Sequence, residues 1–153
     1  MIKILMICHG NICRSTMAEF VLQDMVKKEG REAEFYINSA GTSREEIGNP
    51  PHKGTIHVLK EHGVPIGTHF ATQLTRVDYD NYDYLIGMDS YNIRNIHKIV
   101  GEDAKKKVYK LLDFTEEARD IDDPWYTNKF EKTYEDVVKG CRGLLEHINE
   151  LNK

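Results

Sequence analysis

The chain changes from one periodicity to another at Cys8-His9-Gly10-Asn11-Ile12-Cys13-Arg14-Ser15. Before this stretch, the apolar run Lys3 to Ile7 predicts a β-strand that is covered on both faces, as in a parallel sheet. After it, apolar residues recur at helical spacing from Arg14 to about Glu29, and Gly30 supplies a stop. A strand, a tight loop and a helix in this order indicate the beginning of an α/β fold.

The same alternation of strand and helix continues to the C-terminus. Pattern and turn residues predict further strands at Glu34–Ser39, Tyr84–Met88 and Lys107–Leu111. They predict further helices at about His52–His62, Ser90–Gly101 and Phe130–Leu151. We therefore expect residues 1–153 to form a single domain, a three-layer αβα structure whose four-stranded parallel sheet has right-handed crossovers. The loop of residues 9–13, which we call the phosphate loop for the reasons given below, would lie between the first strand and the first helix.

Composition restricts the classes of function. The formal charge is −4, from 21 Lys and Arg against 25 Asp and Glu, which argues against nucleic acid as a partner. The apolar N-terminus is too short for a signal peptide, and no run approaches a membrane span. Three cysteines without regular spacing favour a reducing compartment, so we expect a cytoplasmic protein with no membrane partner.

The loop after the first strand has the parts of a phosphate site with a nucleophile. Backbone N–H groups of a curled loop and a helix N-terminus can converge on one anion, and Gly10 and Asn11 tolerate the left-handed backbone that a curl requires. Arg14 offers a planar fork for two phosphoryl oxygens, and the positive surroundings favour the thiolate of Cys8. A metal site on Cys8, His9 and Cys13 lacks a second cluster to complete it, so we expect neither metal nor cofactor.

A proton donor is also needed if a phenolate is to leave, and Asp123 before Pro124 is the candidate general acid. Its neighbour Asp122 is the alternative. Trp125 and Tyr126 follow, and two aromatic side chains could flank a flat phenyl ring and deepen the slot above Cys8.

These motifs together resemble those of the low-molecular-weight protein tyrosine phosphatases, along nearly the whole chain. The resemblance is carried by Cys-x5-Arg-Ser at Cys8–Ser15, Ala18-Glu19, Ser39-Ala40-Gly41-Thr42, Met88-Asp89 and Asp123-Pro124-Trp125-Tyr126. It implies hydrolysis of phosphotyrosine through a phosphocysteine on Cys8, with Arg14 on the phosphoryl oxygens and Asp123 as acid and then base. Phosphotyrosine proteins or peptides would be the partners, and we expect a monomer.

The resemblance also extends to residues around Cys8, Arg14 and Asp123. The loop residues His9, Gly10, Asn11, Ile12, Cys13 and Ser15 would contact phosphate or substrate, with His9 and Ile12 lining the pocket. Asn11, Ser15, Ser39 and His69 match the network that supports the loop in the family. Asp89 would orient the loop or cap its helix. Glu45 and Glu46 stand where some relatives have a pocket-wall aromatic, which leaves peptide preference open.

Several alternatives remain at this stage. A phosphoarginine phosphatase on the same scaffold is the closest, although by resemblance such enzymes tend to carry threonine where this chain has Ile12. Arsenate reduction would need further cysteines between Cys13 and Cys141, where there are none. A non-catalytic phosphate-binding or phosphocarrier module is the alternative from another class, and Asp123 argues against it because a pure binder has little use for an acid.

Overall fold

Four parallel strands form one sheet in the computed structural model, which describes residues 1–152. The strands are β1 (Ile2–Cys8), β2 (Phe35–Gly41), β3 (Tyr84–Gly87) and β4 (Val108–Lys110), in the spatial order β2-β1-β3-β4. The chain leaves β1 toward one edge and later adds β3 and β4 on the other side. This reversal opens a crevice at the carboxyl ends of β1 and β3, where open α/β sheets bind ligands.

Helices cover both faces of this sheet. Their bounds are α1 Arg14–Lys28, α2 Lys53–Glu61, α3 Asp78–Asn81, α4 Ser90–Val100, α5 Pro124–Thr127 and α6 Phe130–Leu151. Alternate residues of β1 enter different cores: Ile4 and Met6 pack in the core with α1 and α6 residues, whereas Leu5 and Ile7 pack in the core with α3 and α4 residues. The predicted three-layer fold with a four-stranded parallel sheet is confirmed.

Several sequence-based element assignments need correction, and β3 and β4 are each shorter than predicted, at Tyr84–Gly87 and Val108–Lys110. β2 continues through Gly41 instead of ending at Ser39, because its last residues still pair with β1 up to Cys8. Asp89 caps α4, which is one of the two roles expected for it: its carboxylate accepts from the Asn92 N–H at 2.7 Å. The short helices α3 and α5 were not predicted, since four residues are too few to show a period.

Candidate active site

The phosphate loop occupies residues 9–13, between the end of β1 and the start of α1. Asn11 adopts a left-handed conformation with φ of 59°, which bends the backbone into the curl expected for this loop, whereas Gly10 does not adopt a left-handed conformation. Neighbouring segments hold the curl: the N–H of Thr42 donates to the Cys8 carbonyl at 2.9 Å, and the N–H of His52 donates to the Ile12 carbonyl at 2.7 Å. The loop is therefore fixed by backbone contacts from two other segments.

Gly41 lies close to this loop and has no room for a side chain. A Cβ atom there would lie 2.8 Å from the His9 carbonyl oxygen and 3.2 Å from Asn11. The glycine lets the end of β2 run directly alongside the loop, which explains its place in the Ser39–Thr42 motif.

Asn11 is the centre of a buried hydrogen-bond network. Its amide nitrogen donates to Ser15 Oγ at 2.8 Å and to Ser39 Oγ at 2.9 Å. Its amide oxygen accepts from the Thr72 N–H at 3.1 Å and lies 2.8 Å from His69 Nε2, which must carry the proton because the oxygen can only accept. Three of these four contacts fix the loop relative to β2 and residues 69–72, and the fourth joins it to the first turn of α1.

Glu19 completes the network from α1. Ser39 Oγ donates to its carboxylate at 2.6 Å, and His69 Nδ1 lies 3.4 Å from the same oxygen. Burial raises the pKa of Glu19 to about 7, although hydrogen bonds from Ser39 and Gln23 oppose the rise. Burial lowers the pKa of His69. Sequence reasoning used Glu19 only as part of a motif, and a charged residue among the buried positions of α1 was the available signal for its role.

Cys8 is buried at the end of β1, with Sγ 3.0 Å from Ser15 Oγ. Because Ser15 Oγ accepts the Asn11 amide proton, its own hydrogen remains to be donated to a thiolate at Cys8. Burial, followed by the nearby charges of Cys8 and Asp123, raises the pKa of Cys13 to about 12. Cys13 and Ile12 are both buried, so their side chains support the loop from within.

Arg14 is buried with its guanidinium in the centre of the site. Nη1 donates to Asp89 Oδ2 at 2.6 Å and to the Ile121 carbonyl at 2.8 Å, and Nη2 lies 3.5 Å from Asp123 Oδ2. Burial by itself lowers the pKa of Arg14, but the charges of Cys8, Asp89 and Asp123 raise it above its usual value. Within residues 1–152, the buried Nε has no hydrogen-bond partner. A buried N–H of a cation is suited to a phosphoryl oxygen.

Two carboxylates approach Arg14 from different segments. Asp89 follows β3, caps α4 and anchors Nη1. Asp123 caps α5, where Oδ1 accepts from the Trp125 N–H at 3.1 Å, and its other oxygen faces Arg14. Asp122 is exposed to solvent. The geometry thus brings Asp123, rather than Asp122, to the phosphate loop.

The mouth of the site has an aromatic side and an acidic side. A cavity of about 410 Å³ beside Arg14 is lined by His9, Asp89, Tyr91, Asn92, Asn95, Asp123 and Tyr126. Trp125 is exposed and contacts His52 edge to face, with ring centroids 5.7 Å apart. On the acidic side, Glu45 Oε2 lies 3.1 Å from His9 Nε2. Of the predicted pair, Tyr126 lines the cavity, whereas Trp125 lies on the His52 side.

The assembled groups can perform one type of chemistry. A thiol at a strand end, a buried guanidinium and a carboxylic acid surround a loop able to hold a tetrahedral anion. Among residues 1–152, no group of three or more His, Cys, Asp or Glu side chains could hold a metal ion. In that same range, no helix has the length and apolar character needed to cross a membrane.

Comparisons with known proteins give a consistent family. The family described as "Low molecular weight phosphotyrosine protein phosphatase" matches residues 3–153. The low molecular weight protein-tyrosine-phosphatase YfkJ of Bacillus subtilis is 38% identical over 152 residues, covering 98% of this chain and 97% of that protein. The crystal structure of YfkJ superposes with a TM-score of 0.96 at 37% identity, covering 100% of this chain and 98% of that one.

Two further solved structures differ in their stated activity. The low molecular weight protein tyrosine phosphatase from Streptococcus pyogenes superposes with a TM-score of 0.84 at 40% identity, covering 96% of this chain and 93% of that one. A Drosophila arginine phosphatase superposes with a TM-score of 0.85 at 27% identity, covering 96% and 98%. The scaffold is therefore similar to proteins with two named phosphatase activities.

Proposed function

The chain belongs to the low molecular weight phosphotyrosine protein phosphatase family and is a protein-tyrosine-phosphatase; on that premise, we propose that Cys8, Arg14 and Asp123 are its catalytic residues. The observation that carries this assignment is the unpartnered, buried Nε of Arg14, in a site that also holds Cys8 and Asp123. A purely structural arginine at this depth would have its donors satisfied.

In the first step, the Cys8 thiolate attacks phosphorus while the bond from phosphorus to the phenolic oxygen breaks. Protonated Asp123 gives its proton to that oxygen, so tyrosine leaves as the neutral phenol. General acid assistance of this kind is worth roughly 10²–10⁴ in rate. Arg14 and the loop N–H groups bind the equatorial oxygens, whose charge is held most strongly in the transition state.

In the second step, water attacks the phosphocysteine. Asp123, now a carboxylate, takes a proton from that water, the bond between sulfur and phosphorus breaks, and the Cys8 thiolate is restored with inorganic phosphate. The Ser15 hydroxyl, which is 3.0 Å from Sγ, supports this step because it stabilises the departing thiolate. The first and second steps together return the protein to its starting protonation state.

His9, Gly10, Asn11, Ile12, Cys13 and Ser15 form the loop around the phosphoryl group, and Tyr126 provides an aromatic wall of the mouth. Trp125 would meet substrate from the His52 side. Ser39, His69 and Asp89 act through the loop and Arg14, because their contacts go to Asn11 and to the guanidinium. No step needs a cofactor or a metal ion.

Phosphoarginine is the second candidate substrate, because one structural neighbour is named an arginine phosphatase. Ile12 favours phosphotyrosine over it by resemblance, because arginine phosphatases on this scaffold tend to carry threonine at this position. We further infer that residues 1–153 act as one domain and as a monomer in the cytoplasm. The three cysteines of the chain are all free in the structure, which agrees with a reducing compartment.

The deciding experiment compares hydrolysis of one peptide carrying phosphotyrosine, phosphoserine or phosphoarginine. We expect turnover of phosphotyrosine, and a labelled phosphate trapped on Cys8 after rapid acid quenching. Cys8→Ser should abolish turnover and still bind phosphate, measured by calorimetry. Preferred hydrolysis of phosphoarginine would replace the proposed substrate, and trapping on another residue would overturn the proposed nucleophile.

A further inference from the structure

The proposed acid, Asp123, lies at the end of a segment without regular structure. Residues 115–123 connect the 3₁₀ turn at Leu111–Phe114 to α5. A loop of this kind has no backbone ladder to set its position, so side-chain contacts and single backbone hydrogen bonds must do so. Proton transfer requires the carboxylate to be placed within hydrogen-bond reach of the leaving oxygen, which makes the position of this segment important for rate.

Three side chains connect this segment to helices. Asp120 accepts from the Ser90 N–H of α4, and Glu117 accepts from Lys139 of α6. The third side chain, Arg119, makes a bidentate contact. Its Nη1 and Nη2 donate to Asp136 Oδ2 and Oδ1 of α6 at 3.2 and 2.8 Å, a bidentate pair. The same Nη1 donates to the carbonyl of Asp120, inside the segment, at 3.1 Å. The guanidinium therefore joins the helix to the backbone three residues before Asp123.

Asp136 is an unusual partner for a surface loop because it is 2% exposed and ionised. Burial by itself raises the pKa of Asp136, but hydrogen bonds and charges from Arg119 and Lys132 outweigh burial and keep the pKa below its ordinary value. Arg119 binds both oxygens of Asp136, whereas Lys132 contacts only Oδ1, so the Arg119 pair has a more definite geometry than an ion pair with a single contact.

The connection continues from Arg119 into the active site. Directly after Asp120, the Ile121 N–H donates to the Met88 carbonyl at 2.9 Å. The Ile121 carbonyl accepts from Arg14 Nη1 at 2.8 Å, and Asp123 Oδ2 lies near Nη2. Contacts thus run from Asp136 through Arg119, Asp120 and Ile121 to the two groups that handle the phosphoryl group and the proton.

We propose that Arg119 and Asp136 are positioning residues for the general acid: their ion pair on α6 holds residues 120–123 so that Asp123 faces the leaving oxygen. The proposal rests on the proposed function, because it assigns the pair a role only through Asp123. Neither residue touches substrate. Loosening the pair should leave Cys8 and the phosphate loop intact while proton donation becomes inefficient.

The test measures kcat/KM for a series of aryl phosphates whose phenols range from acidic to weakly acidic. Acidic phenols leave without help, whereas phenyl phosphate depends on the acid. For Arg119→Met, we expect a loss of about 30-fold with phenyl phosphate and under about threefold with the most acidic phenol. Asp136→Asn, which preserves size, should show the same selectivity, and the double variant should be no worse than either single one.

Arg31→Met is the matched control. Arg31 also makes a multiple contact, to Glu34 at 3.1 Å and Asn149 at 2.8 Å, but it lies beyond the far end of α1. The Arg31→Met substitution should lower the melting temperature without changing how kcat/KM depends on the acidity of the leaving phenol. An equal change in that dependence for Arg31→Met, or none for Arg119→Met and Asp136→Asn, would overturn the positioning role.

Asp123→Ala separates this failure from failure of the proposed function. If Asp123→Ala steepens the leaving-group dependence and the Arg119 and Asp136 variants do not, only the positioning role is wrong. If Asp123→Ala leaves the dependence unchanged, Asp123 is not the acid, and the positioning role is overturned together with that assignment.

Discussion

The phosphate loop and the segment that carries Asp123 are held in opposite ways. Residues 9–13 follow a central strand, precede a 15-residue helix and include Asn11, whose side chain makes four hydrogen-bond contacts. The segment that carries Asp123, residues 115–123, contains no strand. Contacts of Arg119, Asp120 and Ile121 attach it to the rest of the protein. The loop proposed to bind the dianion directly follows a strand of the sheet, whereas the aspartate proposed as the acid lies at the end of a segment without regular structure.

This difference indicates how much structural displacement each region can tolerate. A loop that must present several N–H groups to one anion loses all of them together if its backbone relaxes, so it is preorganised by a rigid core. A carboxylate that donates and then accepts a proton needs one correct distance, which a few side-chain contacts can set. We therefore expect variants of the two regions to differ in the size of the activity loss and also in how that loss depends on the leaving phenol.

Among variants of the phosphate-binding region, Arg14→Lys should give the largest loss of kcat. Lysine keeps the charge but cannot bind two oxygens and also hold Asp89 and Ile121, so we expect kcat to fall by about 10³-fold or more. Steady-state assays with a series of aryl phosphates measure this. A loss confined to weakly acidic phenols would contradict the comparison, because it would make Arg14 part of the acid apparatus.

Asp123→Ala should be the next largest change and should differ by substrate. We expect kcat/KM to fall by about 10²–10³-fold with phenyl phosphate and much less with an acidic phenol. Asp122→Ala is the matched control, since Asp122 is exposed, and it should stay close to the unchanged protein. A large effect of Asp122→Ala would show that the wrong aspartate has been assigned.

Asn11→Gly tests the rigid side of the comparison. Glycine tolerates the φ of 59°, so the substitution removes the amide contacts without adding backbone strain. Leaving the partners of Asn11 unsatisfied should cost about 2–3 kcal/mol of unfolding free energy and lower kcat/KM by about tenfold. The loss should be equal for all leaving groups; a selective loss would mean that the two regions are not independent.

Glu19→Gln should have the smallest effect on activity and a clear effect on pH dependence. Because the folded pKa of Glu19 is raised from 4.5 to about 7, the folded protein binds more protons than the unfolded chain between these values. Stability should therefore fall as pH rises through this window, by up to about 3 kcal/mol. Denaturant unfolding from pH 4.5 to 8 should show a flatter profile for Glu19→Gln, and an unchanged profile would refute the assignment.

Local patterns were enough to place the first strand, the phosphate loop and the long helix. The apolar run before Cys8, the left-handed residue Asn11 and the apolar stripe of α6 each lie within one continuous segment, so each can be interpreted without the rest of the chain. The bounds of α6, Phe130–Leu151, are those predicted, because a 22-residue helix shows its period many times. The motifs also identified the family.

Only the tertiary structure decided how distant segments meet. Asp89 and Asp123 lie 75 and 109 residues from Arg14 along the chain, and the pairing of Arg119 with Asp136 has no periodic signal. Local sequence determines the conformation of each segment, because turn and helix propensities act over a few residues. Which carboxylate reaches which guanidinium depends on how the segments pack, since buried ions accept only partners that the fold brings within hydrogen-bond distance.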